Sequence, residues 1–174
     1  MLTASIANTG NQRLSYVEAT ATFTDSSGAV LGTNFTNLIG LAPGKTWDVY
    51  IPYLGTSGTP TDGTIRITAA DPGSVPSSPE GVTVLDSRVQ QPKDQFSPPK
   101  VVGQAKNESG GRLDYLEAAA TFYGENGHVL SSGFTNVTGL AAGQTWRFAI
   151  PFISYNPDAE VADYELYLKT SPFA

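Results

Sequence analysis

The sequence predicts an all-β chain arranged as two tandem antiparallel β-sandwiches, and three observations carry that prediction. Residues Asn8 to Pro52 align on Asn107 to Pro151 without a gap, at a constant offset of 99 (107 − 8), with roughly half of the positions identical. Self-similarity at a fixed period marks a structural unit used more than once. Apolar residues alternate with polar ones in short runs, broken by Gly and Pro about every ten residues, the pattern of half-buried strands joined by turns. No stretch of ten or more residues shows the 3.6-residue apolar period of a helix.

In the first copy Val17, Ala19, Ala21 and Phe23 fall on one strand face, and Tyr16, Glu18, Thr20 and Thr22 on the other. Leu116, Ala118, Ala120 and Phe122 repeat the apolar face. Asp25-Ser26-Ser27-Gly28 and Gly124-Glu125-Asn126-Gly127 are turns, because Gly accepts positive φ and Asp or Asn bonds its own backbone. A strand over Ala29 to Phe35 follows, then a turn at Leu41-Ala42-Pro43-Gly44. Trp47, Val49 and Ile51 then alternate inward, as do Trp146, Phe148 and Ile150. If both tryptophans are buried, truncating either to Ala costs about 3–5 kcal/mol. The last strand is Thr64 to Ala69, matched by Asp163 to Leu168; at the same offset Ile65 and Ile67 pair with Tyr164 and Leu166.

Between the copies, Asp71 to Pro79 is Pro/Ser/Gly punctuation, a linker by composition. The expected organisation is a first sandwich over 1–72, a linker over 73–80 and a second sandwich over 81–174. Val82 to Val89 is β-branched and strand-like, and subtracting 99 places its counterpart before residue 1. Copy one therefore lacks a strand that copy two has, and presents an unpaired edge. Three arrangements fit: the chain continues N-terminally, residues 82–89 serve both copies, or a neighbouring chain fills the gap by edge-strand association.

Composition narrows the chemistry. The 174 residues include no Cys, one His, 18 Gly and 12 Pro, with a net charge of −6. Without Cys there is no disulfide framework, thiolate metal site or cysteine nucleophile. A lone His128 leaves most His-based triads without material. The acidic balance argues against a nucleic-acid partner, which requires concentrated Lys and Arg. No apolar run reaches the roughly 18 to 20 residues of a membrane helix. Residues 1–30 show no basic region followed by an apolar stretch, so no signal peptide is expected in this stretch.

The series N-x(4)-R-L-x-Y-[VL]-E-A-x-A-T-F, then G-x-V-L, L-x-x-G-x-T-W and a terminal Y-x-L, resembles the FxLYD family of bacterial and archaeal surface domains. The resemblance covers each copy nearly end to end. It implies an immunoglobulin-like β-sandwich, an extracytoplasmic location (secreted, periplasmic or cell-surface) and a non-catalytic role. Ile65-Arg66-Ile67 departs from the pattern by lacking the aromatic that Tyr164 supplies.

Arg13 and Glu18 recur as Arg112 and Glu117, and read as a salt bridge beside a solvent-facing strand, worth about 0–1 kcal/mol. His128 follows a turn, where copy one has Ala29, and reads as a surface residue with no nucleophile at a motif spacing. The acidic turns at Asp25 and at Asp158-Ala159-Glu160 lack the oxygen spacing of a calcium loop. Asn34, Asn107 and Asn136 match the N-glycosylation pattern, a weak signal. Tyr16, Tyr50, Tyr53, Tyr115, Tyr123 and Tyr155 are the candidate binding residues, since several lie out of phase with the core and aromatic rings stack on sugars or anchor protein partners. The alternative is that they cover sheet edges or the contact between the copies. The expectation is a non-enzymatic binding or structural module for protein–protein interaction or adhesion, with no catalytic residue, metal or cofactor. The alternative is a carbohydrate-binding accessory module of a larger envelope enzyme, with a polysaccharide partner.

Overall fold

A computed structural model describes residues 1–73, 78–92, 94 and 97–171; residues 74–77 of the expected linker lie outside them. Over the described residues the chain is all-β, with eleven strands in three sheets and no helix. The N-terminal half supplies β1 (Leu2–Ala7), β2 (Leu14–Thr24), β3 (Val30–Leu41), β4 (Thr46–Ile51) and β5 (Asp62–Pro72). The C-terminal half supplies β6 (Val82–Gln90), β7 (Lys100–Asn107), β8 (Leu113–Tyr123), β9 (Val129–Leu140), β10 (Thr145–Pro151) and β11 (Asp163–Lys169). The sheet orders are β3-β2-β5, β10-β7-β6 and β1-β4-β9-β8-β11, the last crossing between the halves through a single parallel bridge, Trp47 to Val129.

Alternation places the cores as the sequence predicts. Val17, Ala19, Ala21 and Phe23 pack with Leu38, Leu41, Trp47, Val49 and Ile51 in the N-terminal half. Leu116, Ala118, Ala120 and Phe122 pack with Val101, Ala105, Phe148, Ile150 and Leu168 in the C-terminal half. Strand pairing follows the offset. Ile6 faces Trp47 as Ala105 faces Trp146, and Leu14 faces Leu41 as Leu113 faces Leu140. A bulge falls at Phe23/Thr24 in one half and at Phe122/Tyr123 in the other.

The offset fails at the last strand. Ala21 faces Ile65, whereas its counterpart Ala120 faces Leu166, and Phe23 faces Gly63 where Phe122 faces Tyr164. Ile65 thus corresponds to Leu166 rather than Tyr164, because the connection before β11 is two residues longer (164 − 151 = 13 against 63 − 52 = 11). The aromatic absent from the N-terminal half is replaced by Gly63. A Cβ there would lie 2.4 Å from the Thr22 carbonyl oxygen and 2.6 Å from a Leu2 methyl, so no larger residue fits.

The tryptophans differ as well. Trp47 is buried, but Trp146 is only partly so, so the expectation of two equal core anchors is corrected. Val129 pairs beside Trp47, and Trp146 has no such neighbour. β3 is also longer than predicted, Val30–Leu41 rather than 29–35. Its four final residues are all buried, which breaks the two-residue period, because the C-terminal half covers the face that alternation assigns to solvent.

One repeated residue has a structural role that the sequence pattern concealed. Asn8 Nδ2 donates to the carbonyls of Gln12 and Leu41 at 2.9 and 3.0 Å. Asn107 Nδ2 does the same to Gly111 and Leu140 at 2.7 and 3.0 Å, and its Oδ1 accepts from Ser109 N. Both asparagines are buried, and each ties the carbonyls of two separate segments together. Asn107 is therefore a pin between loops, and its burial rules it out as a glycan acceptor.

Candidate functional site

Some of the polar and aromatic residues singled out in the sequence, among them Arg13, Tyr123 and His128, meet at the seam between the halves. The turn joining β8 to β9 carries Tyr123 before it and Val129 after it, and both side chains sit in the N-terminal core beside Trp47. The two halves therefore share one apolar cluster. β8 is buried on both faces: Leu116 to Phe122 alternate into its own core, while Glu117, Ala119, Thr121 and Tyr123 are covered on the other face. Ile39, Ala119 and Tyr167 form a small cluster across the seam. Backbone groups of Ile39 are also satisfied across it, the N–H donating to Ser132 Oγ at 3.0 Å and the carbonyl accepting from Thr121 Oγ1.

Arg13 and Glu165 lock this joint. Arg13 Nη1 donates to Glu165 Oε2 at 3.0 Å, to the Gly40 carbonyl at 3.1 Å and to Tyr167 Oη at 2.8 Å, while Nη2 reaches Glu165 Oε1 at 3.3 Å. Tyr123 and Tyr167 both donate to the same carboxylate. Burial pushes the Glu165 carboxyl up, but the hydrogen bonds from Arg13, Tyr167 and Tyr123 outweigh it and hold the group at about 2. Burial, then the bond to Glu165, pushes Tyr167 up to about 12 and raises Tyr123 further. The expected Arg13–Glu18 pair does not form. Glu18 instead accepts from Tyr16 Oη at 3.0 Å and Thr68 Oγ1 at 2.8 Å. Arg112, the counterpart of Arg13, stays exposed, 3.7 Å from Asp114. Glu117 is buried and accepts from Tyr115, whose hydroxyl is raised to about 12 by burial and then by that bond.

His128 also joins the seam. Its Nδ1 lies 2.9 Å from Asp48 Oδ2, and Ser5 Oγ donates to Asp48 Oδ1 at 2.8 Å. The carboxylate orienting His128 thus comes from the other half, where no sequence spacing would have revealed it. No serine hydroxyl among the described residues is hydrogen-bonded to its Nε2, so the pair stands as a hydrogen-bonded contact between the halves. Among the described residues no group of three or more His, Cys, Asp or Glu side chains converges to hold a metal ion. Asp25 spends its Oδ1 on the backbone N–H groups of Ser27 and Ala29, ordinary turn chemistry.

The tyrosines separate in space. Tyr123 is buried in the shared cluster, the placement described by the alternative in which the tyrosines cover the contact between the copies. Tyr53 packs on Phe23 with ring centroids 5.2 Å apart and donates to the Ser57 carbonyl. Tyr16 and Tyr115 are partly buried beside their glutamates. Tyr50 and Tyr155 line a cleft of about 180 Å³ at the seam, with Trp47, Asp48, Asn37 and Ser131. Tyr155 is 55% exposed, and Ser131 Oγ is buried with no hydrogen-bond partner among the described residues. No Lys or Arg lines this cleft.

One pair escaped the sequence reading. Phe35 and Phe134 occupy matching positions in identical Phe-Thr-Asn triplets, and they are 60% and 58% exposed. Alternation alone concealed them, because Phe35 shares its parity with Leu31, Ile39 and Leu41, and Phe134 with Leu130 and Leu140; only the retention of the aromatic in both copies sets the pair apart. No helix among the described residues is long and apolar enough to cross a membrane. In comparisons with known proteins, no family model matches the chain, and no curated protein matches it.

Proposed function

We propose that the chain is a non-catalytic extracytoplasmic module for protein interaction or adhesion, built from two FxLYD-like, immunoglobulin-like β-sandwich domains. The observation that carries this reading is the matched pair of exposed phenylalanines. Phe35 and Phe134 contribute to neither core, yet the same aromatic stands on the same strand of both halves. Exposed aromatics supply large contact area at low entropic cost and dominate interface energetics. The shared core and the Arg13–Glu165 lock fix one relative to the other, which favours a partner that engages both.

The absence of cysteine makes the test direct. Thr59→Cys at an exposed loop position is labelled on intact cells of the source organism with a membrane-impermeant maleimide; labelling only after lysis overturns the location. The double variant Phe35→Ser/Phe134→Ser is expected to keep its thermal midpoint and lose surface cross-linking to its partner. Unchanged cross-linking refutes the role of the phenylalanines.

The seam cleft favours a second reading, a site for a neutral saccharide. Two tyrosine rings, one carboxylate, an amide and an unpartnered hydroxyl suit a hydroxyl-rich ligand with apolar ring faces. The lack of a lining cation disfavours an acidic one. Saturation-transfer NMR with neutral hexoses, repeated on Tyr155→Ala, tests it: no transfer to the parent chain ends this reading.

A further inference from the structure

We propose that the outer edge of β1 is an acceptor for an extended segment supplied from outside residues 1–174, antiparallel to β1 and chemically like β6. The C-terminal half supplies the template. There β7 lies between β10 and β6, and its alternate residues Val101, Gly103, Ala105 and Asn107 are buried. β1 pairs with β4 in the register in which β7 pairs with β10, Leu2 to Ile51 matching Val101 to Ile150, but its other edge has no strand neighbour among the described residues. Its alternate residues Leu2, Ala4 and Ile6 are correspondingly only half-buried. The sharing of β6 between the halves is excluded, since β6 pairs only with β7.

β1 also lacks the features that protect a sheet edge. Edge strands are blunted by charge, proline or bulges. β5, β6, β10 and β11 each carry charged residues, among them Arg66, Asp86, Arg147 and Glu165, and β5 and β6 also have register shifts; β3, an edge strand equally free of charge and proline, is interrupted by the bulge at Phe23/Thr24. β1, Leu-Thr-Ala-Ser-Ile-Ala, has no charge, no proline and an unbroken register. An unpaired strand of this kind recognises an extended peptide by main-chain hydrogen bonds, with alternate side chains setting specificity. In β6 those side chains are Val82, Val84 and Val89, opposite Asn107, Ala105 and Val101. The Ser87–Tyr164 hydrogen bond of 2.8 Å has no equivalent in the N-terminal half, where Gly63 replaces the tyrosine. Backbone pairing and valine-like side chains therefore carry the recognition there.

The proposal rests on the reading of the chain as a protein-binding module, and its test is independent of the cell-labelling result. The probe is a synthetic peptide spanning residues 80–91, added to the full chain, with amide hydrogen exchange read strand by strand. The expected result is at least tenfold slower exchange over residues 2–7, unchanged exchange over 100–107, and loss of both binding and protection when the peptide carries Val84→Asp and Val89→Asp. Three results overturn it. One is no slowing in β1. Another is a changed β7, which would mean that the peptide displaces the chain's own β6. The third is β1 protection without peptide in a chain that light scattering finds dimeric, which would make a second copy the occupant.

Discussion

The unequal tryptophans give the most discriminating test of the shared core. Trp47 and Trp146 occupy the same position of the repeat and face Ile6 and Ala105 in the same register. Trp47 is only 2% exposed, because Val129 and Tyr123 from the other half close over it. A buried tryptophan removes on the order of 200–250 Å² from water, so at about 25 cal/mol per Å² its transfer contributes about 5–6 kcal/mol. Partial collapse of the site brings the expected cost of Trp47→Ala to about 4–5 kcal/mol, near the top of the range for such truncations. Trp146 keeps part of its surface in water and packs at the margin of its cluster, against Phe148 at 5.3 Å between ring centroids. Trp146→Ala is expected to cost about half as much, roughly 2–3 kcal/mol. Urea unfolding followed by far-ultraviolet circular dichroism measures both without depending on the removed fluorophore. Equal losses, or a larger loss for Trp146→Ala, would refute the argument that the β8–β9 turn completes the N-terminal core.

Three further outcomes follow from the seam and its pins. The Glu165 carboxyl is depressed to about 2 in the folded chain, so its stabilisation is complete above the ordinary carboxylate range and is lost as pH falls from about 4.5 to 2. With 42% of its side chain exposed, the expected contribution is about 1 kcal/mol, and Glu165→Gln should flatten that limb of the stability curve against pH. Asn107→Ala removes the Nδ2 donor from the Gly111 and Leu140 carbonyls and the Oδ1 acceptor from Ser109, and should cost about 2–3 kcal/mol in chemical denaturation, well beyond the effect of Asn136→Ala. Gly40 has φ +82° with the Tyr167 hydroxyl 2.9 Å from where a Cβ would stand, so Gly40→Ala should cost more than about 1 kcal/mol. Gly28→Ala, at a similar φ with open space around it, should cost less by thermal melt.

Much of each half was legible because alternation and turn chemistry act locally. Val17 to Phe23, Trp47 to Ile51 and the turns at Gly28 and Gly44 needed only their neighbours in sequence. The strand at Val82 and its missing counterpart were visible from the offset alone. What stayed hidden was set by contact between the halves. Glu117 and Thr121 are polar residues on the nominally wet face of β8, yet they are buried, because β3 lies over them. Arg13 pairs with Glu165, 152 residues away, and the sequence offers no spacing rule for such a partner. The slip at Gly63 was hidden because two β-branched residues at either register satisfy alternation equally well.

The joint between the halves also has a direction. In a two-fold pair each partner would offer the same patch and every contact would occur twice. Here the C-terminal half inserts its β8–β9 turn and the N-terminal half receives it, so each half uses a different surface and leaves the other idle. The idle surfaces can be named. Val30 is 64% exposed where its counterpart Val129 is fully buried, marking an insertion turn with nothing to enter. In the C-terminal half, Arg112 and the partly exposed Trp146 mark the corresponding receiving face, on which no turn among the described residues lies. The two halves thus leave two unlike surfaces exposed, as a heterologous contact does and an isologous one does not.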